Sequence, residues 1–182
     1  MTSRSSARGI RAVLRPVLLA GTLVLAAGAI PAQAAPSASG ADQAAFAKVR
    51  AATAAYHDLN AAKAAGFGLF PGCFSDSAGG MGVHYVDFAS VNDGVVNPLK
   101  PEALVYEPLA GGQMRLVAVE YVQLASSWKG AQPPSVYGHP LVFTPAPNEF
   151  GLPDFYELHV WLWQPNPTGM FSEWNPSVSC PA

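Results

Sequence analysis

Tyr156-Glu157-Leu158-His159-Val160-Trp161-Leu162-Trp163 is the densest strand-like run in the chain. In extended backbone, successive side chains point to opposite faces. Tyr156, Leu158, Val160 and Leu162 then share one face, and Glu157, His159, Trp161 and Trp163 share the other. Val, Leu, Tyr and Trp suit a pleated, half-buried surface. Neither face is polar, so the run reads as a central strand covered on both sides. Glu157 and His159 stand two residues apart against two tryptophans. A charged carboxylate there is costly unless it is paired, hydrogen-bonded or bound to a metal. Two readings stay open: a polar pair satisfied by neighbouring groups, and part of a ligand site.

Working outward, three further stretches read as strands. Met81-Gly82-Val83-His84-Tyr85-Val86-Asp87-Phe88 follows Gly79-Gly80 and puts His84 on a face with Val86 and Phe88. Ala103 to Glu107 and Gln113 to Leu124 form a hairpin about a turn at Pro108 to Gly112. Alternation places Met114, Leu116, Ala118, Glu120, Val122 and Leu124 on one face of the longer strand. Glu120 is the one charge on that face, a local rule violation that marks either a site or a structural pair. Glu107 falls on the same face, nearer the turn. Ser126 to Pro153 reads as long loop with at most one short strand, Leu141 to Phe143. Long loops in compact domains are often functional. Pro165 to Ala182 reads as a loop-like tail.

Ala41 to Ala65 is rich in alanine, the best helix former. Phe46, Val49, Thr53, Tyr56 and Leu59 recur at three- and four-residue steps, the apolar stripe of a helix. Helix signals begin at Ser39 and Asp42, and Gly66 suits a C-cap. His57 lies beside the stripe and reads as a surface histidine. The stretch from Gly66 to Phe74 reads as an aromatic loop.

The first 34 residues have the three parts of a secretory signal. Arg4, Arg8, Arg11 and Arg15 are basic, Val17 to Ile30 is apolar, and Ala32-Gln33-Ala34 is a small-x-small cleavage site. Residues 1–34 are therefore expected to be removed on export. Residues 35–40 then form a flexible tail and 41–182 a single globular domain, with no membrane span after cleavage. In the exported chain six basic residues (Lys48, Arg50, Lys63, Lys100, Arg115, Lys129) face 12 acidic ones. That sparse negative charge argues against nucleic acid, which rewards clustered Lys and Arg. The apolar supply is ample for a core, and 17 Pro and 17 Gly imply much turn and loop. In an oxidising compartment the two cysteines, Cys73 and Cys180, read as one disulfide. The rival reading, free or metal-bound thiols, matches no zinc spacing.

No G-x-S-x-G, H-E-x-x-H, C-x-x-C or phosphate-binding glycine loop is present. What remains is a constellation: His84, Glu120 and His159, one from each of three strands, each in apolar surroundings. Two imidazoles and a carboxylate are a common set for zinc or non-haem iron. Glu157 or Glu107 would then be a supporting partner or general base. The alternative is a buried hydrogen-bonded network. Trp128, Trp161, Trp163 and Trp174 offer a second route, stacking on a ligand, against the reading that they are core.

Several segments taken together, Met81-Gly82-Val83-His84-Tyr85, Leu116 to Tyr121, Tyr156 to Trp163, Pro165-Asn166-Pro167-Thr168-Gly169-Met170-Phe171 and the tail to Cys180, resemble a family of uncharacterised secreted bacterial proteins. The resemblance covers nearly the whole exported chain. It implies export and a single domain, and carries no catalytic residue across. The expected fold is α+β: one N-terminal helix on a mainly antiparallel sheet of four or five strands, closed by a disulfide. The first functional expectation is a secreted binding or structural module without catalysis. The second is a metal-dependent enzyme using His84, Glu120 and His159 with Glu157 assisting.

Overall fold

Ser39 caps the first helix of the described residues. Its side chain accepts from the Asp42 backbone N–H while the Asp42 carboxylate accepts from the Ser39 backbone N–H. This reciprocal box satisfies two donors that a helix start leaves open. The computed structural model describes residues 39–180, so the expected signal segment and most of the expected tail lie outside the described residues. The elements are α1 (Gly40–Thr53), α2 (Leu59–Ala64), β1 (Gly68–Asp76), β2 (Gly79–Val86), β3 (Ala103–Pro108), β4 (Met114–Leu124), β5 (Ser135–Val136), β6 (His139–Pro140), β7 (Val142–Thr144) and β8 (Phe155–Val160).

The single helix expected over Ala41 to Ala65 is broken. A 3-10 turn, Ala54–His57, follows α1, and Asp58 adopts extended backbone and caps α2 by accepting from the Asn60 N–H. An Asp side chain offers the backbone this alternative to continuing the helix.

One antiparallel sheet of six strands, in the order β1-β2-β3-β4-β8-β7, carries the fold, and β5 and β6 form a separate two-stranded ladder. The expectation of four or five strands is therefore one or two short. The additional strand is β1, whose Gly68, Pro71 and Gly72 read as loop. At a sheet edge a proline is tolerated because its missing N–H faces no partner. β1 is also irregular, with register shifts between Leu69 and Cys73 and between Phe74 and Ser75.

The two sheet faces have different partners. Tyr85, Leu104, Tyr106, Val119, Tyr121, Leu158 and Val160 form the main core with Phe46 and Val49 of α1 and Ala62 of α2. The Tyr106 hydroxyl donates to the Tyr56 carbonyl, tying β3 to the turn after α1. On the opposite face Val105, Val117, Ala118, Trp161 and Val178 form a second apolar cluster. The C-terminal segment covers that end: Asn175 pairs with Gly80, and Cys73 is disulfide-bonded to Cys180, with Cα atoms 5.6 Å apart.

Strict alternation fails at two places. Val105 pairs with Ala118 but Tyr106 with Leu116, so Val117 is an extra residue in β4. The bulge puts Leu116 in the helix-side core, not on the face of Ala118 and Glu120 as alternation required. β8 ends at Val160, three residues before the expected end. Trp163 consequently packs on the helix-side core instead of beside Trp161.

Candidate metal centre

Glu120 of β4 lies opposite Ala103 of β3 on one side and opposite His159 of β8 on the other. His84 comes from β2, one strand further away, opposite Val105. Ala103 carries only a methyl group where β3 passes between them, which leaves room for the His84 ring to reach Glu120. The His84 Nε2 lies 3.4 Å from Glu120 Oε2 and 3.2 Å from His159 Nε2, and His159 Nδ1 lies 3.6 Å from Glu120 Oε1. One ligand atom from each of the three residues falls within 4.8 Å of the other two. The structure thus brings together the three residues singled out from the sequence. All three are buried, at 5%, 5% and 3% exposure.

Burial sets the charge state. It pushes the His84 imidazole down to about 4. Burial, then the neighbouring His84, holds His159 well below the usual imidazole range. Burial, then the charge of Glu157, holds Glu120 well above the usual carboxylate range. At neutral pH both rings are neutral, the form that ligates metals.

Ring orientation comes from aromatic packing. Phe74 meets His84 edge-on with centroids 6.1 Å apart, and Trp161 stacks on His159 at 6.0 Å. Neither Nδ1 atom has a hydrogen-bond partner among the described residues. Metal-bound histidines usually donate their second ring N–H to such a partner.

Glu157 sits on the same face, opposite Val122 of β4, and accepts a short hydrogen bond from the Thr144 hydroxyl of β7. Its acidity is also lowered chiefly by burial, against which the Thr144 hydrogen bond works. Glu107 is elsewhere. Its carboxylate pairs with Arg115 and accepts from the Ser179 N–H, so it pins the C-terminal segment instead of supporting the site. Trp161 is core, with its Nε1 donating to the Ser172 carbonyl, and no tryptophan reaches the pocket described next.

Beyond the cluster the face opens into a pocket of about 590 Å³, counting the part open to solvent. His84, Glu120 and Glu157 form its polar floor; its walls include Phe70 and Phe74 of β1, Phe88 after β2, Phe150 before β8, and Phe155. Met81 joins the wall although it lies three residues from His84, because Gly82 takes a left-handed φ of +111° and interrupts the alternation. Of these phenylalanines, the sequence reading placed only Phe88 on the face of His84. Phe70 and Phe74 lay in an aromatic run, Phe67 to Phe74, that carried no strand pattern.

No family model, curated protein or solved structure matches the chain. The chemistry rests on the geometry above.

Proposed function

We propose that this protein is an exported binding module that holds a divalent transition metal, zinc or iron(II) in class, on His84, Glu120 and His159. One observation carries the reading. Ligand atoms at 2.0–2.1 Å from a tetrahedral ion stand about 3.3–3.4 Å apart. The His84–His159 and His84–Glu120 separations are 3.2 and 3.4 Å through the Nε2 atoms, and His159 approaches Glu120 at 3.6 Å through its other ring nitrogen, Nδ1. Three protein ligands leave a fourth position open, as in catalytic zinc sites, and the pocket floor is where it would face. The disulfide agrees with work in an oxidising compartment.

Elemental analysis of the purified protein after zinc loading and dialysis tests this. One ion per chain is expected, with a rise in melting temperature that excess chelator reverses. At a ligand concentration 100 times Kd the stabilisation is about 2.7 kcal/mol. Substoichiometric metal and an unmoved melting temperature would overturn it. His84→Ala and His159→Ala should each abolish retention.

A metal-dependent hydrolase is the second reading, favoured by the place of Glu157. It lines the pocket beside Glu120 and would serve as the general base that metal-assisted hydrolysis needs. The test is hydrolysis of a simple aryl ester by the loaded protein. Activity lost in Glu157→Gln with the metal retained supports it; equal activity in the variant removes it.

A further inference from the structure

We propose that the pocket takes an apolar organic acid, a medium-chain or aryl carboxylic acid, whose carboxylate completes the coordination of the ion. The inference rests on the metal reading above and names the class of ligand for the same site.

The wall sets the body of the ligand. Phe70, Phe74, Phe88, Phe150 and Phe155 supply five aromatic faces, with Leu124 and Leu152 between them. Such a wall has nothing to offer the hydroxyls of a sugar or the edges of a base.

The floor sets the head. No lysine or arginine lines the pocket. His84, Glu120 and Glu157 are the polar side chains there, and His159 lies just behind them. Without an ion this floor has two carboxyl groups and no fixed positive charge. It gives an anion no positive partner, whereas an organic cation would still find the phenylalanine faces. With a divalent ion held by one carboxylate, positive charge faces the open side. A ligand carboxylate then has a partner in a low-dielectric pocket, where the attraction is strong. The metal thereby decides whether the pocket offers an anionic head a partner.

The experiment uses the full exported chain with its disulfide intact, loaded with Co²⁺, whose visible absorption reports its ligands. Decanoate, decylamine and decanol are titrated into the loaded and metal-free protein. The expected result is decanoate binding at least tenfold tighter to the loaded protein than to the metal-free form, with a change in the cobalt bands. Decanol and decylamine should leave the bands unchanged. Phe150→Ser, in the loop before β8 and half-buried, should weaken decanoate at least tenfold while leaving Co²⁺ affinity unchanged. Failure to bind Co²⁺ overturns the metal reading and this inference with it. Co²⁺ binding with decanoate indifferent to the ion, or with decylamine preferred by the loaded protein, overturns the ligand class and leaves the metal site standing.

Discussion

Glu120 and His159 are Cα partners across the β4–β8 ladder, and both side chains point away from the helix toward His84. Cross-strand partners on one face are held at a separation set by the ladder itself. Two of the three candidate ligands are therefore placed by backbone pairing, and only His84 depends on reaching across β3. Glu120→Gln tests the placement. Burial favours the neutral acid in the metal-free protein, and a glutamine is its near-isostere. Metal-free stability should change by less than about 1 kcal/mol. Metal affinity should fall by more than about 100-fold, since an amide is a poor substitute for a carboxylate ligand. Isothermal titration and urea melts of the same preparation measure both.

Glu102 predicts a pH dependence away from the metal ligands. It is 1% exposed and accepts from the Val122 N–H at 3.1 Å. Burial raises its pKa from the ordinary 4.5 to about 8. Between those values the folded chain keeps a proton that the unfolded chain has released, so stability falls as pH rises through this window. Below about pH 4.5 both states hold the proton and the contribution is complete. Melting temperature should drop between pH 5 and 8, and Glu102→Gln should flatten that drop. A variant as pH-sensitive as the parent would remove the assignment.

Periodicity made the central sheet legible. β2, β3, β4 and β8 carry β-branched and aromatic residues in runs, and each was located to within a few residues of its bounds. His84, Glu120 and His159 stood out because a polar group on an apolar face needs a reason. Their meeting at one point depended on sheet order, which no local pattern states. Position along each strand mattered as well: the extra residue at Val117 moves Leu116 across the sheet but leaves Glu120 in phase with His159. β1 escaped because glycine and proline dominate its local signal, and its pairing with β2 is a tertiary effect. The pocket escaped with it, since two of its phenylalanines ride on that strand. Glu107 does lie on the face of Glu120, as alternation required, but four residues nearer the turn than Ala103, the Cα partner of Glu120. There Arg115, its own Cα partner, claims the carboxylate.

Gly82→Ala tests how tightly β2 is seated. A Cβ at this position would lie 2.6 Å from the Tyr106 carbonyl oxygen, and φ is +111°. Both backbone strain and the clash oppose a side chain. A loss of about 2–3 kcal/mol is expected from strain of this kind. Because His84 lies two residues on, the variant should also weaken metal binding more than its stability loss in the metal-free state explains. Chemical denaturation and metal titration read the two effects separately. An alanine variant as stable as the parent would show that β2 is free to shift at this point.

The disulfide closes a loop with a sequence separation of 107 and anchors the strand that carries the outer pocket wall. Chain-entropy models assign a loop of that order roughly 4–5 kcal/mol, less any strain. Phe74, the residue after Cys73, packs on both His84 and Phe150, with ring centroids 6.1 and 5.0 Å away. Cys73→Ser with Cys180→Ser should lower the urea midpoint substantially, and reductant should do the same to the parent while leaving the double variant unmoved. The folded double variant should still hold metal, because β2, β4 and β8 carry all three candidate ligands and β1 none. It should bind an apolar probe more weakly, because β1 is the strand that has lost its tether. Metal lost together with the probe would mean that the tether supports the cluster itself, through the contact of Phe74 with His84.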